Sequence, residues 1–69
     1  MKRSAINTGL LRDYMRAEGI ASYYALARRM GVSHSTVYRV VNGKAKPGER
    51  FYPGLRRAFP GRDTGALIR

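Results

Sequence analysis

Apolar residues recur along the chain at intervals of three and four, and single glycines separate the stretches that carry this pattern. The spacing predicts four helices, and no stretch alternates apolar and polar residues for long enough to suggest a sheet. Ser22 and Ser33 are the expected N-caps of the second and third helices, because a serine hydroxyl accepts from a free N–H of the first turn. The predicted helices are Asn7 or Thr8 to Glu18, about eight residues ending at Gly31, His34 to about Asn42, and a fourth from about residues 49–51 to near Phe59.

Each predicted helix has one apolar face, so we expect an all-α fold, a compact bundle of four or five helices. Pro53 fits only if it falls in the first turn of the fourth helix. The eight glycines are interpreted as turn markers between the apolar segments. The expected inward-facing residues are Ile6, Leu10, Leu11, Tyr14, Met15, Tyr23, Leu26, Ala27, Met30, Val37, Val40, Val41, Phe51, Leu55, Ala58 and Phe59.

The chain is small and strongly basic. The chain has 69 residues, enough for one small domain, with 14 Lys and Arg against 4 Asp and Glu and a net charge of +10. So large a charge on a short chain predicts a polyanionic partner. The four carboxylates are scattered and no phosphate-binding glycine motif is present, so we expect a binding protein and not an enzyme.

Other kinds of chemistry find little support in the sequence. The chain has no cysteine and one histidine, so neither a disulfide nor a zinc site is expected, and no cofactor or small-molecule ligand is predicted. No apolar run approaches the roughly 20 residues of a membrane span, and no secretory signal follows the basic start. We therefore expect a cytoplasmic protein that does not interact with membranes.

The second and third predicted helices carry the clearest functional pattern. Ala27 lies four residues before Gly31, and Val37 and Val40 follow in the next helix. A small residue permits two helices to cross closely, and a glycine permits the tight turn between them. These spacings are typical of a helix-turn-helix unit, here about residues 22–43.

Residues 26–44, Leu-Ala-Arg-Arg-Met-Gly-Val-Ser-His-Ser-Thr-Val-Tyr-Arg-Val-Val-Asn-Gly-Lys, resemble the helix-turn-helix domains of the lambdoid phage repressor and Cro proteins. The Asn-Gly-Lys ending is typical of that family, and the resemblance continues through Arg50–Leu55 to cover about residues 7–59. It implies a lambda-repressor-like DNA-binding domain over residues 1–61, followed by a C-terminal tail, 62–69. The apolar tip of this tail, residues 66–68, is interpreted either as a frayed end or as a dimer contact.

The resemblance also implies which residues contact double-stranded DNA, because family members place the third helix in the major groove. By position, the base-facing residues are His34, Ser35 and Arg39, with Ser33 and Tyr38 at the margin. The phosphate-facing residues are Tyr23, Asn42, Lys44, Lys46 and Arg50. The residue types agree, since arginine can grip a guanine through O6 and N7. Two features depart from the family: Tyr23 stands where glutamine is frequent, and the turn over residues 19–22 is one residue longer than in some members.

By this resemblance the expected function is that of a small Cro-like transcriptional repressor or autoregulator. A homodimer is expected to occlude a promoter by binding a pseudo-palindromic operator with half-sites about 10 bp apart. The expected dimer surface is formed by Phe59, Leu67 and Ile68. Two alternatives stay open: the DNA-binding antitoxin of a toxin–antitoxin pair, for which only residues 60–69 are spare, and a sequence-neutral basic binder of nucleic acid.

Overall fold

Four α-helices and one 3-10 turn make up the regular structure of residues 4–68, the part of the chain that the computed structural model describes. The expected all-α fold is confirmed, with helix ends within about two residues of those predicted. Residues 1–3 of the predicted domain and residue 69 of the predicted tail lie outside the described part. The elements are α1 Thr8–Ala17, α2 Tyr23–Met30, α3 His34–Val41, α4 Phe51–Ala58 and the 3-10 turn Thr64–Leu67.

Side-chain caps define where the helices begin. The hydroxyls of Ser22 and Ser33 accept hydrogen bonds from the N–H groups of Ala25 and Thr36, at 3.1 and 3.2 Å, so both predicted N-caps are confirmed. Asn7 caps α1 in the same way. Each cap satisfies one of the N–H groups that the first turn of a helix leaves without a partner.

One core holds all the elements together. Ala27 and the three valines of α3 are buried as predicted, and Tyr14 packs edge-on against Phe59 with ring centroids 5.6 Å apart. The predicted inner faces are confirmed except that Leu10, Tyr14 and Tyr23 are only partly buried. Helix α2 is central, since it packs against both α3 and α4. The buried hydrophobic residues are Ile6, Leu11, Met15, Ile20, Leu26, Ala27, Met30, Val37, Val40, Val41, Phe51, Leu55, Ala58, Phe59 and Leu67.

Two glycines are not the turn markers that the sequence suggested. Gly9 lies inside α1, and Gly54 lies inside α4, where it is buried. A Cβ atom added at Gly54 would lie 3.0 Å from both the Cβ and the carbonyl oxygen of Met30. Gly54 is therefore the position at which α4 makes its close approach to the end of α2.

Replacing Gly54 by alanine is expected to destabilise the protein by about 1 kcal/mol, the balance of two opposed effects. Alanine in a helix gains about 1 kcal/mol over glycine, but overpacking a close contact costs about 1–3 kcal/mol. The Met30 carbonyl is backbone, so it cannot turn aside as a side chain would. The matched control is Gly9→Ala, where the new Cβ has its nearest contact at 3.7 Å and a gain of up to about 1 kcal/mol is expected. Urea unfolding of both variants measures the difference; equal gains would contradict the close approach.

The C-terminal segment is part of the domain and not a separate tail. The 3-10 turn packs against α1 and α4, the Leu67 carbonyl accepts from the Asn7 N–H at 2.7 Å, and Ile68 forms an antiparallel bridge with Ile6. The Tyr14 hydroxyl donates to the Asp63 carbonyl at 2.9 Å. Long-range contacts thus anchor the segment to the residues just before α1 and to α1 itself.

This packing corrects the expected dimer surface. The side chains of Phe59 and Leu67 are 1% and 0% exposed, because they fill the chain's own core. Only Ile68 of the three remains partly exposed. The interpretation of residues 66–68 as a frayed end is wrong for Leu67 and Ile68, whose contacts hold the end of the fold in place.

Candidate nucleic-acid interface

The turn between α2 and α3 fixes the orientation of α3. Gly31 adopts a left-handed conformation with φ of 76°, which side chains other than glycine resist. The N–H groups of Gly31 and Val32 both donate to the Ala27 carbonyl, at 2.9 and 3.1 Å. The chain then reverses and Ser33 begins α3, whose valines pack inward. With one side of α3 buried, its polar side necessarily faces outward.

That outward side is called here the α3 outer face. Its spacing in sequence places its members along one side of the helix. Residues 33–46 contain Arg39, Lys44 and Lys46 but no carboxylate, so the surroundings of this face are cationic. The α3 outer face consists of the exposed residues His34, Ser35, Tyr38, Arg39 and Asn42.

Lys44 is fixed at the C-terminal end of this face. Gly43 has φ of 72°, and the turn it permits brings the Lys44 N–H to the Arg39 carbonyl at 2.8 Å. The ammonium of Lys44 lies 5.8 Å from the centroid of the Tyr38 ring, a cation–π arrangement. The side-chain amide of Asn42 donates to the Tyr38 carbonyl at 2.8 Å. Three of the predicted contact residues are thus brought together here.

Ser33 has a structural task that competes with contact to a base. Its hydroxyl accepts from the Thr36 N–H and also lies 2.7 Å from the Thr36 hydroxyl. Both contacts hold the first turn of α3. Ser33 therefore acts as a cap beside the α3 outer face, and its predicted place at the margin of the base-reading set stays a prediction.

Arg50 lies at the opposite end of α3 from Lys44. It lines a groove of about 450 Å³ with Ser33 and Thr36, beside the first turn of α3. Glu49 lines the same groove, so the charge of Arg50 is partly offset there. Lys46 is exposed in the loop after α3. The three predicted phosphate contacts Lys44, Lys46 and Arg50 therefore do not form one cluster but lie at and beyond the two ends of α3.

The start of α2 contributes residues that sequence reasoning missed. Tyr23 is half-buried and lines a groove of about 360 Å³ together with Arg12 and Arg16 of α1. No DNA contact was assigned to these two arginines from the sequence. Their spacing of four residues, which places them on one side of α1, was the available signal. The groove makes the surface around the predicted contact Tyr23 cationic.

Tyr24, the next residue, was also not among the predicted contacts, and its side chain is 58% exposed. Its ring lies against that of His34, with centroids 5.6 Å apart and planes tilted by 58°. The α2 pattern held the signal, since Tyr24 falls outside the apolar set formed by Tyr23, Leu26, Ala27 and Met30. Tyr24 thus joins α2 to the first residue of the α3 outer face.

Two of the four carboxylates are engaged away from the α3 outer face. Glu18 pairs with Arg62 at 2.9 Å, the one salt bridge found within residues 4–68, and Asp63 caps the 3-10 turn. Across the same residues, no three His, Asp or Glu side chains come close enough together to bind a metal ion. The arrangement offers hydrogen-bond donors and positive charge, which suit the recognition of a polyanion.

Comparison with known proteins agrees with this geometry. A family model described as a helix-turn-helix domain matches residues 8–59 of the 69 residues. No curated protein and no solved structure gives a match. None of the helices in the described part of the chain is long and apolar enough to cross a membrane. From the turn at Gly31, the outward polar side of α3 and this match over most of its length, the chain belongs to the helix-turn-helix domain family.

Proposed function

We propose that this chain binds double-stranded DNA sequence-specifically and acts as a small Cro-like transcriptional repressor and autoregulator. Helix-turn-helix domains bind DNA by placing their second helix, here α3, in the major groove. The proposed mechanism is occlusion of a promoter by a homodimer bound to a pseudo-palindromic operator. It requires no catalysis by the chain.

The α3 outer face carries this proposal. It exposes side chains that hydrogen-bond in different ways, and its opposite side is buried, so it can present them only outward. Arg39 has the fork of donors that matches O6 and N7 of guanine. His34 can donate to a purine N7, while Ser35 can donate or accept. A face that has no carboxylate and carries both hydrogen-bond donors and acceptors is suited to reading base edges.

Backbone contacts are proposed for the residues at the ends of α3. Phosphate contacts set the register of a protein on DNA and supply affinity without sequence preference. Lys44 lies at the C-terminal end of α3 and Arg50 beside its first turn. Cations at both ends would hold the helix along the groove while its outer face contacts the bases.

Two observations favour this proposal over the alternatives. Three of the five residues of the α3 outer face, Ser35, Tyr38 and Asn42, are uncharged and hydrogen-bonding, whereas a sequence-neutral binder would gain more from lysines there. An antitoxin needs a free segment to bind its toxin, but the described part of the spare segment 60–69, residues 60–68, is packed on α1 and α4 through Leu67. The fold therefore favours a sequence-specific regulator over a sequence-neutral binder or an antitoxin.

The homodimer is tested by the spacing of half-sites. Two chains on one duplex are expected to bind cooperatively when the half-sites are about 10 bp apart, one helical turn. Adding about 5 bp puts the half-sites on opposite faces of the duplex. Sedimentation of the protein with both duplexes should give a two-chain complex that forms at lower protein concentration on the first. Equal, independent binding to both would remove the dimer and leave the DNA recognition in place.

Promoter occlusion is tested by transcription in vitro. A bound site that overlaps the promoter should lower transcript yield as the protein is added, because polymerase and protein compete for the same DNA. The same site moved well upstream should have no effect. Repression that does not depend on site position would contradict occlusion.

Replacing Lys44 by alanine is expected to weaken binding to all DNA sequences alike and to lower the slope of log affinity against log salt by about one. The physical reason is that one phosphate contact, and the counterion released with it, is lost. Titrations of a preferred and a scrambled duplex at several salt concentrations measure the slope. The matched control is Arg56→Ala, a cation of α4 that lines a groove with Ile68. An unchanged slope in the Lys44 variant, or an equal drop in the control, would exclude Lys44 as a phosphate contact.

A further inference from the structure

We infer that Tyr24 is a positioning residue: it holds the His34 ring in the orientation from which His34 reads its base pair. The inference deepens the proposed function and rests on it. Tyr24 would thus help to set the base preference of the protein without itself contacting that base.

The rings of Tyr24 and His34 are in contact. Tyr24 is the second residue of α2, and His34 is the first residue of α3, so the pair joins the two helices of the motif. The ring centroids are 5.6 Å apart with planes tilted by 58°, within the range of favourable aromatic pairs. Both side chains are exposed. Such a pair cannot be explained as core packing.

The Tyr24 ring is the one aromatic neighbour found for His34 within residues 4–68. Across residues 4–68, the His34 ring makes no hydrogen bond. Further along the face, the Asn42 side chain donates a hydrogen bond, and the Tyr38 ring makes a cation–π contact. A histidine at the exposed start of a helix can occupy several staggered side-chain rotamers. The ring of Tyr24 restricts that choice, so His34 loses less conformational freedom when it binds.

The backbone that carries the two aromatic rings is held firmly enough for this role. Tyr23, beside Tyr24, packs against the core, and Ser22 caps α2 at the same end. Ser33 caps α3 one residue before His34. Both rings therefore start from fixed backbone positions.

The test measures base preference, which a merely structural residue would not change. Affinities are measured for the preferred duplex of the wild-type protein and for its single base-pair variants. His34→Ala identifies the position that His34 reads. Tyr24→Ala should lower discrimination at that same position by about 2- to 12-fold, the range that an aromatic pair contributes. Tyr24→Phe keeps the ring and should keep the wild-type preference.

Two further variants sharpen the result. In a His34→Ala background, Tyr24→Ala should cause no additional loss of discrimination, because the residue through which it acts is gone. Tyr52→Ala is the matched control, since Tyr52 is also an exposed tyrosine with an aromatic neighbour, Phe51, but belongs to α4. It should leave the preference unchanged. Thermal unfolding confirms that each variant is folded.

The outcomes separate this inference from the proposed function. If the wild type shows no base preference, both are overturned. Two results would overturn positioning while DNA recognition stands, provided that the wild type shows base preference. In one, His34→Ala leaves the preference unchanged at every position; in the other, Tyr24→Ala keeps the wild-type preference at the position that His34 reads. Tyr24→Phe weakening all duplexes alike, with Tyr24→Ala no worse, would overturn positioning by making Tyr24 a phosphate contact through its hydroxyl.

Discussion

Replacing Leu67 by alanine is expected to lower the free energy of unfolding by about 2–5 kcal/mol, the usual range for a fully buried leucine. Leu67 has no exposed surface, and its backbone carbonyl accepts from the N–H of Asn7. A chain of this size buries a small core, so the loss is a large share of its stability. Urea unfolding followed by circular dichroism measures the change.

Two controls separate a core residue from a dimer contact. Leu67→Met roughly conserves volume and should cost less than about 1.5 kcal/mol, which keeps the comparison measurable even if the alanine variant does not fold. Ile68→Ala should cost clearly less than Leu67→Ala, because Ile68 is only partly buried. If Leu67 were a dimer contact, the loss would depend on protein concentration. A concentration-dependent loss, or none, would contradict its place in the core.

Replacing Arg39 by alanine is expected to cost about 1–3 kcal/mol on the preferred DNA site and to relax the preference at one base pair. The guanidinium is exposed on the α3 outer face, where it is free to pair with the two acceptors of a guanine. Arg39→Lys should behave more like the alanine variant than like the wild type, because a lysine cannot make the two parallel hydrogen bonds. Titrations with the preferred duplex and its single base-pair variants measure both effects.

The controls for Arg39 address charge. Arg56→Ala removes the same charge from α4 and should leave base preference unchanged. A loss on random DNA equal to that on the preferred site would make Arg39 a phosphate contact instead of a base contact. Stability should not change, since Arg39 is exposed.

The features that depend on local sequence could be predicted. Ser22 and Ser33 cap helices through bonds to N–H groups three residues ahead, and Gly31 has the positive φ that its turn requires. The apolar spacing of α3 identified the buried valines and, by exclusion, its outer face. Such signals lie within a few residues, where pattern and chemistry are both readable.

The features that depend on contacts between residues distant in sequence could not be predicted. Gly54 fits a helix only because Met30 approaches it, and a lone glycine in a sequence gives no sign of its neighbour. Leu67 was assigned to a tail. Its hydrogen-bond partner Asn7 lies at the other end of the chain, so the residues next to Leu67 in sequence give no sign of the contact. Tyr24 was separable from the core by its spacing, but its contact with His34 depends on the crossing of α2 and α3.

Sequence-specific recognition through α3 can be measured by selecting random double-stranded DNA with the purified protein near physiological salt. The expected result is recovery of a pseudo-palindrome with half-sites about 10 bp apart. When the selection is repeated with the Arg39→Ala variant, preference at one base pair in each half-site should be lost. A single half-site would retain the base-reading helix and remove the dimer. Tight binding at low salt with no enriched sequence would exclude sequence-specific recognition through α3, because a cationic surface alone binds all DNA alike.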